Sequence, residues 1–205
     1  MSGRSLEDVD EEKDLGVIID KDLKFHRQSA AAIKKANSAL GIIKKSFTFL
    51  DEDTLPLLFK SLVRPHLEYG NVIWGPFYKG DAEDVERLQR RATKGVPGLS
   101  SLTYEERLRK LKLPSLQHRR RRGDMIMTYK IIMGKVNLKK DEVFTFAANQ
   151  TNRKSHQYKL ARTKATKSAR QNALSIRVVD DLNNLPMKVV AASSRINRYL
   201  QAFTR

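Results

Sequence analysis

Apolar residues in this chain recur mostly at three- and four-residue spacing, the mark of amphipathic helices. The exception comes near the start. In KDLGVIID (13–20), Leu15, Val17 and Ile19 alternate and β-branched residues dominate, which predicts a strand followed by a turn. Asp20 and Asp22 then offer helix-capping oxygens. Residues 25–48 read as one long helix, with Ile33, Ala36, Leu40, Ile43 and Phe47 forming a single stripe. A second helix is expected over 53–69, with Asp53 as N-cap, Pro56 in the first turn and Leu55, Leu58, Phe59 and Leu62 on the buried side. Pro65 should kink or split it near Leu62–Arg64. The stretch HLEYGNVIWGPFYKG (66–80) ends that helix and carries Tyr69, Trp74, Phe77 and Tyr78, read either as a core corner or as a stacking platform for bases.

A third helix is expected over 81–94, capped by Asp81, with Val85, Leu88 and Ala92 inward and Arg87, Arg90, Arg91 and Lys94 mostly on the other side. It ends at Gly95, Pro97 and Gly98. Helix restarts at Thr103, where Glu106 completes a capping box and Leu108 and Leu111 form the core side. Pro114 suits the start of the next helix. That helix contains Arg119, Arg120, Arg121 and Arg122 in succession. Four successive helical residues sweep about 300° of azimuth, so the arginines cannot all face water, and at least one must flank the apolar stripe. Gly123 beside them would let a backbone or a phosphate approach closely. A localisation tag is the alternative reading of the run. Residues 135–172 are polar, basic and poor in large apolar side chains, which predicts loop and extended segments with weak anchoring, ordered on a partner. ALSIRVVDDLNNLP (173–186) reads as a short strand or helix and a turn, and SSRINRYLQAFTR (193–205) as a terminal helix with Ile196, Leu200 and Phe203 inward. No internal repeat is visible.

Composition adds one strong signal. The 205 residues hold 40 Lys and Arg against 23 Asp and Glu, a net charge of +17. Residues 1–100 carry sixteen basic and sixteen acidic groups, whereas residues 101–170 carry nineteen basic and five acidic ones. A neutral half joined to a basic half suggests a polyanionic partner, with nucleic acid the commonest. A ribosomal protein or plain solubility charge are the alternatives. Lys34 and Lys45, eleven residues apart, fall about 20° from each other on the long helix and would track phosphates, or form a solvated face. The chain has no cysteine, so disulfides and cysteine-held zinc are excluded and a reducing, intracellular setting (nucleus or cytoplasm) is expected. It has no apolar run long enough to span a membrane, and its acidic N-terminus has no signal-peptide core. His26, His66, His118 and His156 lack paired ligand spacing, and no phosphate-binding loop or nucleophile elbow is present, so no metal or other cofactor is expected. Asp180 and Asp181 are an aspartate pair of the kind that holds metal ions in polymerases, but Val178 stands where an aromatic residue would precede them; a capped turn or helix start is the simpler reading.

Five segments carry a resemblance: EKDLGVIID (12–20), YGNVIW (69–74), VERLQRRATK (85–94), LTYEERLRKLKLPSLQHRRRRGDMIMTYKIIMG (102–134) and RVVDDLNNLP (177–186). In this order they resemble the C-terminal part of non-LTR, LINE-type retrotransposon reverse transcriptases, over roughly residues 10 to 190. The chain departs from the family at Leu182, where tryptophan is usual, and in its last fifteen residues. The resemblance implies a mainly α fold: a palm-end strand segment over 1–22, a helical thumb-like bundle over 23–100, an arginine-rich helical pair over 101–134 and a basic, partly irregular region over 135–205. KDLGVIID looks like the last palm hairpin. The fingers and the catalytic palm aspartates are missing, so no catalysis is expected, although a full-length relative would be an RNA-directed DNA polymerase. The resemblance and the charge together imply binding of RNA or an RNA–DNA hybrid through phosphates without sequence readout, at Lys34, Lys45, Arg90, Arg91, Lys94 and Arg119 to Arg122. The missing palm and fingers would be protein partners. The alternatives are a domesticated protein-interaction module or the non-functional product of a decayed element.

Overall fold

A computed structural model describes residues 8–76, 78–148 and 156–190. Within them the chain is mainly helical, with one two-stranded antiparallel sheet. It divides into two compact units, one up to Leu116 and one from Gln117, so the break falls inside the stretch 101–134.

The first unit opens on a hairpin, where the alternating pattern had suggested a single strand. Strand β1 (Glu11–Asp14) pairs with β2 (Val17–Asp20), Asp14 opposite Val17. Leu15 and Gly16 make the two-residue turn, both at positive φ (44° and 86°), the geometry that matches the twist of paired strands. Leucine is a costly residue there, and Tyr69 supports it: the Tyr69 hydroxyl donates to the Leu15 carbonyl at 2.7 Å. Asp20 then accepts from the Lys24 and Phe25 amides at 2.9 and 2.6 Å, which fixes the approach to helix α1 (His26–Ser46).

Helix α1 buries Ala36, Leu40 and Ile43, as its stripe predicts, but Phe47 lies just past its end and is 41 % exposed. The second predicted helix is split as Pro65 requires. It runs as α2 (Thr54–Leu58), a π-helical turn (Phe59–Val63) and α3 (Arg64–Glu68), with Pro65 in the first turn of α3. Asp53 does not cap it; Asp51 does, accepting from the Asp53 and Thr54 amides at 3.1 and 2.7 Å. The wide π turn also moves the buried side. Leu55, Phe59, Val63 and Leu67 are buried, whereas Leu62 is 48 % exposed. The aromatic corner follows: Trp74 closes the short helix α4 (Asn71–Trp74), is buried, and donates to the Tyr69 carbonyl at 2.6 Å, while Tyr69 itself is exposed. Phe77 lies outside the described residues.

Helix α5 (Lys79–Lys94) starts two residues earlier than expected, and Asp81 serves another purpose, described below. Val85, Leu88 and Ala92 of α5 join Leu40, Ile43, Phe59 and Val63 in one core, with Leu116. Helix α6 (Tyr104–Lys110) has the predicted capping box at Thr103 and Glu106, and Leu111 is buried beyond its end.

The second unit is built on helix α7 (Leu116–Ile132). Met125, Tyr129 and Ile132 pack with Phe144, Leu160, Val179 and Leu182. The basic stretch after α7 was expected to be weakly anchored, and its described residues correct that. After the short helix α8 (Lys140–Val143), Phe144 and Leu160 are buried and Phe146 bridges Leu160 antiparallel. The Asn183 carboxamide pairs with the Leu160 backbone as a peptide group would, accepting from its amide and donating to its carbonyl, both at 2.9 Å. Short helices α9 (Ser168–Gln171), α10 (Leu174–Arg177), α11 (Val179–Asn183) and α12 (Met187–Val190) complete the unit. The terminal helix expected over 193–205 lies outside the described residues.

Candidate nucleic-acid interface

Helices α1 and α5 lie side by side and run in the same direction. Near their starts, His26 Nδ1 meets Asp81 Oδ2 at 2.6 Å and the His26 ring stacks on Tyr78 with centroids 4.6 Å apart. Midway, Arg91 of α5 donates to the Asn37 side chain of α1. Near their ends, Lys44 Nζ lies 4.0 Å from where a Cβ on Gly95 would stand. The C-termini therefore meet, and their last turns hold Lys44, Lys45, Arg91 and Lys94. Part of that clustering answers a structural need, because cations offset the partial negative charge of a helix C-terminus.

Between the helices runs an open groove of about 690 Å³, bordered by Lys34, Asn37, Ser38, Arg87 and Arg91 over an apolar floor that includes Ile33 and Leu88. Its one carboxylate, Asp84, is paired to Arg87 at 2.7 Å. Lys34, Ser38, Gly41 and Lys45 follow one another at 4,3,4 spacing along the exposed edge of α1, so two lysines about 16 Å apart along the axis frame two small residues. A Cβ at Gly41 would touch nothing within 4 Å, so the surface between the lysines is open to a close approach.

Of the sequence-predicted set, Lys34 and Arg91 border one groove, and Lys45 and Lys94 stand in the last turns of the two helices that form it. Arg90 turns elsewhere. Its guanidinium lies 5.0 Å from the centre of the Tyr104 ring, and Arg107 lies 5.8 Å from the same centre. The Tyr104 hydroxyl donates to Glu86, which also accepts from the Leu116 amide at 3.2 Å. Arg107 is 5 % exposed and donates to Thr93 Oγ1 at 3.2 Å and to the Leu102 carbonyl at 2.6 Å. Burial, with Glu86 assisting, holds the Tyr104 proton far above the usual phenol range.

The arginine run is only partly open to a partner: one of its members is buried and another is held by a carboxylate. Arg120 is 9 % exposed, which meets the expectation that one of the four lies inward. Arg121 holds Asp181 through Nε at 3.2 Å and Nη2 at 2.5 Å. Arg119 and Arg122 are half-buried, and Arg122 Nε is enclosed without a hydrogen-bond partner. His118 beside them is pushed below the usual histidine range by burial and by Arg121, Arg122 and Arg119. The aspartate pair stands in the first turn of α11, where negative charge suits a helix start, with Asp181 on Arg121 and Asp180 on Arg162 at 2.8 Å.

Sequence reasoning placed Arg87 on the polar face of α5 without choosing it, and missed Asn37 and Ser38. The signal for Arg87 was present: positions 87, 91 and 94 are spaced four and three apart and share one face. Arg107 had no signal, because its burial depends on Tyr104 and Thr93 arriving from either side.

Among the described residues, no three histidine or carboxylate side chains gather as a metal site, and no helix is long and apolar enough to cross a membrane. No family model, curated protein or solved structure matches the chain.

Proposed function

We propose that this chain is the thumb and post-thumb part of a non-LTR, LINE-type reverse transcriptase and that it binds RNA or an RNA–DNA hybrid through phosphates, without reading sequence and without polymerase activity of its own. The observation that supports the binding most directly is the α1–α5 surface, where Lys34 and Arg91 share one groove and Lys45 and Lys94 stand at its cationic end. Such a surface suits a sugar–phosphate backbone, and the groove residues of the kind that read base edges are engaged within the protein, Arg91 with Asn37 and Arg87 with Asp84. The palm and fingers of such an enzyme are the protein partners of this reading.

Titrating a fluorescent RNA–DNA hybrid at several salt concentrations tests it. Four phosphate contacts give a log–log slope of about −3 to −4, and replacing Lys34 and Lys45 by glutamine shortens that slope by about two. A flat salt dependence, or a slope unchanged in the double variant, removes the α1–α5 surface from the account. A second reading, a protein-interaction module, is favoured by the exposed Ile42, Phe47 and Phe49 around the end of α1. Under that reading, replacing Ile42 and Phe49 by serine abolishes partner capture and leaves the hybrid titration untouched.

A further inference from the structure

A second pocket, of about 420 Å³, lies away from the α1–α5 groove. It is walled by the hairpin (Lys13, Gly16), by α1 (Gln28, Lys35), by α3 (His66) and by Tyr69. No aspartate or glutamate lines it. The contrast with its surroundings is sharp: Lys21, Lys24 and Arg27 nearby are each paired to a carboxylate, whereas among the described residues Lys13, Lys35 and His66 have none within ion-pair distance. Lys13 and Lys35 place two positive charges, and His66 an imidazole, around one open depression without a carboxylate, an arrangement that suits an anion. The polar and aromatic walls are also preset. Gln28 is buried, and its Oε1 accepts from the Ile18 amide at 2.9 Å, which leaves the NH₂ as the end available to donate. The hydroxyl of Tyr69 is committed to Leu15, so its exposed ring is held at the pocket wall. Ala32 and Pro65 supply apolar surface between these groups. Charge on one side and a fixed ring on the other suit a ligand with a phosphate on a flat body, in a volume of the usual size for small-molecule sites.

We infer that this pocket binds a phosphomonoester carried on a planar base, either a free nucleoside monophosphate or the terminal phosphate of a strand. Lys35, His66 and Lys13 hold the phosphate, and Tyr69 flanks the base. The site does not depend on the proposed role of the α1–α5 surface.

Calorimetric titration of the full chain with adenosine 5′-monophosphate, adenosine and inorganic phosphate tests it. The monophosphate should bind one to one and more tightly than either part alone. Lys35→Glu combined with His66→Gln should weaken it at least about tenfold, the effect of losing charged contacts to a phosphate. Lys34→Glu, on the other groove, should leave it within about twofold. The Trp74 fluorescence transition on heating confirms that both variants remain folded, and Lys13→Gln provides a second, milder loss. Competition by an oligonucleotide with a 5′-phosphate but not by its 5′-hydroxyl twin assigns the site to strand ends. Competition by neither assigns it to free nucleotide. The proposal is overturned if adenosine binds as tightly as its monophosphate, if no saturable binding occurs, if both oligonucleotides compete equally, or if Lys34→Glu weakens binding as much as the paired variant.

Discussion

A charge can be kept from water only when its donors are occupied, and Arg107 meets that condition through Thr93, the Leu102 carbonyl and the face of Tyr104. Arg107→Met fills the volume but leaves the Leu102 carbonyl without this donor, and should cost about 2–3 kcal/mol in urea unfolding followed by Trp74 fluorescence. Tyr104→Phe should cost about 1 kcal/mol, since Glu86 keeps the Leu116 amide. His156 carries a pH dependence of its own. It is 3 % exposed, its Nε2 faces the Leu182 carbonyl at 2.9 Å, and its Nδ1 accepts from the Tyr158 amide at 3.3 Å. Only the neutral ring with its proton on Nε2 makes both bonds. Burial pushes its pKa down, the Leu182 bond opposes that, and Lys159 adds to it. The unfolded chain therefore binds this proton more readily than the folded one. The contribution of the neutral ring is complete above the ordinary value near 6.5 and is lost as pH falls from there through the depressed folded value. The protection factors of the Leu160 and Ala161 amides, that is, their exchange rates normalised to the intrinsic rate at each pH, should be lower at pH 5 than at pH 7.5. In His156→Gln this excess loss of protection should disappear; if it persists, another group is responsible.

At the scale of elements, the turn at Phe59–Val63 shows how an insertion in helical pitch relocates a core. Leu55, Phe59, Val63 and Leu67 stand four apart, a spacing that drifts about 40° per step in a regular α-helix and is brought back into line by one wide turn. Val63 is 0 % exposed and Leu62 is not buried, so Val63→Ala should destabilise by about 1–2 kcal/mol while Leu62→Ala stays within about 0.5 kcal/mol, as read from denaturant midpoints. Ordinary helical spacing predicts the opposite order. The same elements show what the sequence made legible. The split at Pro65 and the capping box at Thr103 were readable because each follows from a few adjacent residues. The apolar stripes of α1 and α5 were readable because burial imposes its period directly. The hairpin was not, because the alternation of Leu15, Val17 and Ile19 passes through a two-residue turn without a break. Local sequence makes Asp53 and Asp81 the expected caps, yet Asp51 stands two residues nearer the loop and Asp81 is drawn to His26 from another helix. Of the candidate site, Lys34 and Lys45 followed from helical geometry alone, whereas their meeting with Arg91 required knowing that α1 and α5 run parallel.

For the molecule as a whole, the excess of positive charge after residue 100 overstates the cations open to a partner. Arg107 and Arg120 are buried, Arg121 and Arg162 hold the two aspartates of α11, and Lys110 reaches Glu52 at 2.8 Å. In the second unit, Arg177 on α10 also grips Asp124 of α7 through two bonds at 2.9 and 2.6 Å. These pairs tie the helices of that unit to one another, and each of the two units has a buried core of its own. The chain has one tryptophan, Trp74, buried with Val17, Phe25 and Ala32 in the first unit, so its fluorescence reports that unit, whereas far-ultraviolet circular dichroism reports helix in both. Arg121→Gln removes a pair that is part-exposed on the arginine side, which limits its worth to about 1 kcal/mol. It should lower the circular-dichroism midpoint by a few degrees and leave the Trp74 midpoint in place. Asp181→Asn should do the same, and the double variant should cost little more than either single one, because the two groups act on each other. Equal shifts by both probes would mean that the chain unfolds as one cooperative body. Loss of hybrid binding in Arg121→Gln with both midpoints unchanged would instead return this arginine to the nucleic-acid surface.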